Sequence, residues 1–240
     1  MDSVWDKFSQ YHWCLWELQL LYIHLLVRSQ FLTKNCLYSI KNSTQYNSIP
    51  SSHHCMNFQN PITGSIITQI CVYGSIAITL LQMTIARGLI DFAAGVHALG
   101  IYSVPEFIIF QFLHLSPLHL LSNVIFWILI GPAFEAIIGL RRAALFCLIA
   151  SLGIYASIHI FSTASVAGMS GLLLAILWAL TVIYYRSGNP EYKSMLLLLA
   201  INIVIGFVGN VSLTAHAAGA VIGIILGFIW LKNNLSTSRY

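Results

Sequence analysis

From Ile62 to Lys232 the chain reads as a series of apolar runs, most of them near the ~20 residues that a helix needs to cross a bilayer. That feature constrains the fold more than any other. In hydrocarbon every backbone N–H and C=O must find its partner inside the protein, and an α-helix achieves this within one segment. Composition agrees: 8% of residues are charged and 58% are hydrophobic, against ~25% charged in soluble domains. The expected fold class is an all-α polytopic membrane protein, a six-helix bundle, with an extra N-terminal hydrophobic helix as a further possibility. The net charge of +4 is small, and no basic run interleaved with aromatics occurs, which argues against nucleic acid as a partner. The five cysteines (Cys14, Cys36, Cys55, Cys71, Cys147) lack CxxC spacing, so neither a zinc site nor a disulfide framework is indicated.

Three regions follow. Residues 1–60 form an N-terminal extension. Within it, residues 12–32 are apolar but carry Glu17, His24 and Arg28, which oppose easy spanning. Residues 33–61 are rich in Ser, Asn, Gln and His and read as a polar linker. Met56 stands just before the first clean apolar run, which leaves two readings open: residues 1–55 as a functional extension, or as a dispensable one with Met56 the working start. Residues 61–235 form the six-helix core, and 236–240 a cytoplasmic tail. The first core helix is expected from about Ile62 to Ile85. Residues 86–113 are too polar to span, and Phe107–Leu113 reads as an interfacial, partly embedded loop. The second helix opens with Ser116 as N-cap and Pro117 at the first helical position, and continues past Pro132 and Glu135 toward Gly139. The others run from Arg141 to Phe161, Ser170 to Arg186, Lys193 to Val208, and Ser212–Thr214 to Lys232.

Basic residues set the orientation. Arg141 and Arg142 lie between helices two and three, Arg186 and Lys193 between four and five, and Lys232 and Arg239 at the end. The positive-inside rule then places both ends of the core in the cytoplasm, so helices two, four and six enter from the outer face.

Polar residues inside spans are functional candidates, because hydrocarbon penalises them. The second helix offers His119 and Asn123, four apart and so on one face. The fourth offers Ser170 within Gly168-Met169-Ser170-Gly171, and the sixth offers His216. Ser170 precedes Arg186 by 16 residues, and His216 precedes Lys232 by 16. Both therefore stand about 24 Å above their cytoplasmic anchors, level with each other and just below the outer boundary. Gly171, Ala175 and Ala179 make one small-residue stripe, and Gly219, Gly223 and Gly227 another. Such stripes let helix backbones approach closely, which would bring Ser170 beside His216.

A serine hydroxyl needs a base to become a nucleophile, and imidazole is the usual one. Ser170 at a helix N-terminus also offers its own N–H, and His119 and Asn123 could complete an oxyanion hole. No acid lies at this depth within the helices, so a Ser–His dyad is the simpler assignment; Asp91 and Glu106 in the outer loop stay open as partners. A metal site at His114, His119 and His216 lacks both an HExxH pattern and a carboxylate, so no metal and no cofactor is expected.

These residues resemble the rhomboid family of intramembrane serine proteases over about residues 60–235. His114-Leu-Ser-Pro-Leu-His119-Leu-Leu-Ser-Asn123 is similar to that family's second-helix pattern. Gly131-x3-Glu135-x3-Gly139, the Gly168–Gly171 stretch and Ala215-His216-x2-Gly219-x3-Gly223 match its later motifs in order and spacing. The resemblance implies a rhomboid-like bundle with Ser170 as nucleophile and His216 as base. His119, Asn123 and the Ser170 N–H would form the oxyanion hole, and His114 would have a structural or water-positioning role. Gly168, Gly171, Glu135, Gly219 and Gly223 would be supporting residues. It implies transmembrane proteins as substrates, cut in or beside their spanning helix, with the lipid bilayer as the working phase. A bacterial plasma membrane is the expected location. Two positions depart from the pattern. Pro105-Glu106 stand where many members carry Trp-Arg, so the loop must be anchored otherwise. Leu174 stands where many carry a Tyr that packs on the base, so His216 must be oriented by other means. An inactive rhomboid-like binder of membrane helices and a small transporter are the rival readings. The first typically lacks the Ser or the His. The second would place polar groups near the midplane rather than near one face.

Overall fold

The computed structural model describes residues 64–84, 107, 109–162, 166–208 and 212–236. The N-terminal extension, the possible extra helix, most of the 86–113 connection and the last four residues lie outside that set. Six α-helices are described: α1 (Ile66–Thr84), α2 (Pro117–Ile138), α3 (Leu140–Phe161), α4 (Ser170–Arg186), α5 (Tyr192–Val208) and α6 (Leu213–Ser236). Their order and placement match the sequence expectation. The largest differences are at α1, which begins at Ile66, and at α6, which continues four residues past Lys232.

Local chemistry explains the boundaries. Ser116 caps α2 by accepting the His119 N–H, and Pro117 occupies the first turn, where its missing N–H costs nothing. Pro132 sits inside α2, yet the helix runs on to Ile138. Gly139 alone joins α2 to α3: at φ +82° its N–H donates to Glu135 O (2.8 Å) and its carbonyl accepts from Ala143 (2.9 Å). A residue with a Cβ would resist that backbone. Arg141 and Arg142 follow at once, exposed, at the N-terminus of α3. Cations there oppose the helix dipole by about 0.3–1 kcal/mol each, so they do not stabilise this helix end.

The bundle has an apolar core, as a soluble one does, but its exterior is apolar as well. On α1 the buried residues include Thr68, Ser75, Thr79 and Gln82, whereas Ile66, Ile70, Tyr73, Leu80 and Leu81 are exposed. The exterior is apolar because the surrounding phase is hydrocarbon. α1, α2 and α3 are each long and apolar enough to span a membrane. α4 is the central helix: twelve of its seventeen residues are buried, and it packs on α2, α3, α5 and α6. At seventeen residues it is about 26 Å long, shorter than the ~30 Å hydrocarbon core. Arg186 is exposed at its C-terminal end, and Ser170 is its first residue.

The closest approach is between α4 and α6. A Cβ on Gly219 would run into the Gly171 carbonyl, and one on Gly223 into the Ala175 carbonyl. The reciprocal contact is Gly171, whose Cβ would lie 3.0 Å from Ala215 O. Only glycine on α6 permits this backbone-to-backbone seam, and the seam sets the separation of the two helices at the level of Ser170 and His216.

Candidate active site

Ser170 is the first residue of α4, and His216 lies in the first turn of α6. His216 Nε2 is 3.0 Å from Ser170 Oγ. With the ring proton on Nδ1, Nε2 accepts the hydroxyl hydrogen, which is the geometry a base needs toward a nucleophile. Both side chains are half-buried. Met169 caps α4 without any side-chain hydrogen bond, and no acidic residue occupies the first turn. The first-turn N–H groups, that of Ser170 among them, therefore keep the positive end of the helix dipole unneutralised.

Gly168 has φ +106°. Its N–H donates to Phe110 O at 2.8 Å, tying the loop before α4 to the segment before α2. The His119 ring lies against its Cα: a Cβ on Gly168 would sit 2.7 Å from His119 Cε1 and 3.0 Å from Nε2. A side chain at 168 would thus be disfavoured twice, by backbone angle and by collision. Asn123, one turn further along α2, is buried, and its Nδ2 has no hydrogen-bond partner among the described residues. A buried donor without a partner is costly, and a site that is completed only when an anion arrives is one reason to keep it.

His114 precedes α2 and is fully buried. Its Nδ1 is 3.1 Å from Phe112 O and 3.2 Å from Thr79 Oγ1 on α1, and Thr79 Oγ1 donates to Phe112 O at 3.2 Å. Its ring meets that of His119 edge-on, centroids 5.0 Å apart. Burial, with the neighbouring His119 imidazole, pushes the His114 imidazole down to about 4, so it is neutral at pH 7. Because Nδ1 faces a carbonyl, it carries the proton. Nε2 is then an unprotonated acceptor, buried and without a partner among the described residues.

Glu135 is not part of this cluster. It sits at the other end of α2 and caps α1, accepting from Ser65 Oγ (2.6 Å), Ile67 N (3.0 Å) and Ile66 N (3.2 Å). A carboxylate at a helix N-terminus meets the positive end of the dipole, which accounts for a buried acid here. Ser65, Thr79 and the Phe110 carbonyl had not been singled out from sequence. For Ser65 and Thr79 the available signal was the spacing of small hydroxyl residues through an apolar helix; a backbone carbonyl gives none.

Both departures from the family pattern find a structural substitute. The loop before α2 is held by Phe107 and Phe110, whose rings meet Tyr155 of α3 at 5.6 and 5.9 Å. The backbone that carries His216 is held at the start of α6. Its N–H donates to Ser212 O at 3.1 Å, Ser212 Oγ accepts from Ala215 N at 3.3 Å, and the Ala215 carbonyl rests on Gly171.

The fold and this cluster define a polytopic helical membrane protein with a hydroxyl–imidazole pair at one end of the bundle. The family model described as Rhomboid domain matches residues 101–233, more than half of the chain, and the chain belongs to the rhomboid family. It is 31% identical over 149 residues to RHOMBOID-like protein 2 of Arabidopsis thaliana, covering 54% of this chain and 45% of that protein. RHOMBOID-like protein 6, mitochondrial, from the same plant is 31% identical over 129 residues, covering 50% and 42%. Rhomboid protease GlpG of Yersinia pseudotuberculosis serotype I (strain IP32953) is 24% identical over 135 residues, covering 52% and 48%. The chain spans about half the length of the curated relatives it matches.

Proposed function

We propose that this chain is an intramembrane serine endopeptidase acting on transmembrane proteins in or near their spanning helix. The observation that carries the reading is the 3.0 Å contact between His216 Nε2 and Ser170 Oγ at the start of a central, buried helix. In this reading His216 takes the Ser170 proton as the hydroxyl attacks a peptide carbonyl. The tetrahedral oxyanion is stabilised by the Ser170 N–H, the Asn123 Nδ2 donor and His119. His216 then protonates the leaving amine, and water hydrolyses the Ser170 ester by the reverse sequence. A substrate helix must unwind locally, because helical carbonyls are already bonded. His114 and Glu135 stay outside the chemistry, the first supporting His119 and the second fastening α1.

The working unit in this proposal is the core, 61–235, with both ends in the cytoplasm and the dyad near the opposite face. The relatives reported above do not single out the bacterial plasma membrane expected from sequence: the two RHOMBOID-like proteins, at 31% identity, are from a plant and one of them is mitochondrial, whereas the bacterial GlpG is 24% identical. Those plant relatives carry the name RHOMBOID-like rather than protease, which is the observation that keeps an inactive helix-binding protein as the second reading. A fluorophosphonate probe separates the two. Covalent labelling of the detergent-solubilised chain is expected, and it should be lost in both Ser170→Ala and His216→Ala, along with cleavage of a single-span reporter. Cleavage at the wild-type rate in Ser170→Ala would overturn the mechanism.

A further inference from the structure

We infer that Thr79, on a helix that supplies no group to the dyad or the oxyanion hole, is a positioning residue for the oxyanion side of the site. The inference rests on the serine-hydrolase reading above. Thr79 is fully buried. Its hydroxyl donates to Phe112 O at 3.2 Å, and its oxygen lies 3.2 Å from His114 Nδ1, which itself is 3.1 Å from Phe112 O. The three groups close a ring of polar contacts around one proton arrangement. The hydroxyl donates to the carbonyl, and the imidazole N–H is shared between that carbonyl and the hydroxyl oxygen.

That ring fixes two things at once. It selects the Nδ1–H tautomer of His114 and holds the imidazole edge against His119, at 5.0 Å between centroids. It also pins Phe112 to α1, and two residues earlier Phe110 O accepts the Gly168 N–H at 2.8 Å. His119 and Gly168 in turn touch each other, with no room between them for a methyl group. Thr79 is therefore joined by two short routes, through His114 and through the Phe110–Phe112 backbone, to the same pair of elements that flank Ser170. A hydroxyl buried in an apolar helix could merely bond back to its own preceding turn, as Thr181 does to Leu177 O at 2.7 Å. Thr79 instead bonds across to the segment that enters the site.

Thr79→Val removes the hydroxyl and keeps the shape, and Phe112 O retains His114 as a donor. Full-length wild type, Thr79→Val and Thr79→Ser are compared in detergent for fluorophosphonate labelling rate, for kcat and KM on a single-span reporter, and for thermal midpoint. The valine variant should be labelled roughly tenfold more slowly, the effect of about one hydrogen bond's worth of misplaced donors. Its kcat should fall with KM unchanged, and its midpoint should stay near wild type. Serine should restore rate and kcat. Wild-type rates in Thr79→Val would overturn the inference, as would a Thr79→Ser variant as slow as the valine one, since the methyl group and not the hydroxyl would then matter. A fall in midpoint without a change in kcat would also overturn it, by assigning Thr79 to stability alone. A wild-type chain that takes no label overturns the hydrolase reading and this inference with it.

Discussion

Gly168 is the residue on which the most constraints fall. Its φ of +106° is one that a side chain resists, its N–H is committed to Phe110 O, and its missing Cβ leaves the space that the His119 ring fills. Gly168→Ala should displace His119 by a few tenths of an ångström or more and lower kcat by on the order of a hundredfold, as small misplacements near a reacting centre do. Stability should fall by only about 1 kcal/mol for the backbone strain. A variant with normal turnover on the reporter would show that His119 does not need its present place. The sequence marked Gly168 as part of a motif. It did not indicate that an imidazole from a different helix rests on it, because that contact depends on how α2 and α4 cross.

At the scale of elements, α1 shows what the sequence carries only faintly. Its polar residues Thr68, Ser75, Thr79 and Gln82 are buried, and Ile66, Ile70, Tyr73, Leu80 and Leu81 face outward. Ser65 and the first turn bind Glu135 from α2, and Thr79 near the other end binds the segment before α2. α1 is thus fastened by hydrogen bonds to α2 at one end and to the segment before α2 at the other, where in lipid a purely apolar contact would add little. Glu135→Ala should leave three donors at the α1 terminus without their acceptor and lower stability by about 2–3 kcal/mol. Ser170 labelling at low temperature should persist, because Glu135 lies sixteen residues beyond His119 on the same helix, about 24 Å away along its axis. Equal loss of labelling and of folded protein would instead couple that cap to the site. The small-residue stripes of α4 and α6 were legible in the sequence, since their four-residue spacing has a single structural use. The hydroxyl stripe of α1 was harder to read, because serine and threonine within a span can also bond to their own preceding turn.

For the molecule as a whole, acid should be destabilising in a defined window. The His114 imidazole titrates near 6.5 when unfolded and is pushed down to about 4 in the fold by burial. Between those values the unfolded chain binds the proton and the folded chain does not, so stability falls as pH is lowered from about 6.5 toward 4. The thermal midpoint in detergent should drop across that range in wild type. His114→Gln, although less stable at neutral pH, should show a shallower drop; an identical pH profile in the two proteins would remove His114 as the cause.

The sequence alone determined the solvent this chain folds in, the number of core helices, most of their boundaries, and the common depth of Ser170 and His216. All of these follow from local periodicity, capping residues and the rise of a helix, which are properties of one segment at a time. The tertiary structure alone decided which groups meet. It set the 3.0 Å separation of Ser170 and His216 through a glycine seam, placed His119 over Gly168, brought Glu135 to the start of α1 as its cap, and brought Thr79 to His114. Those contacts depend on crossing angles and rotations of helices about their axes. Such quantities are fixed only when every helix has packed against its neighbours.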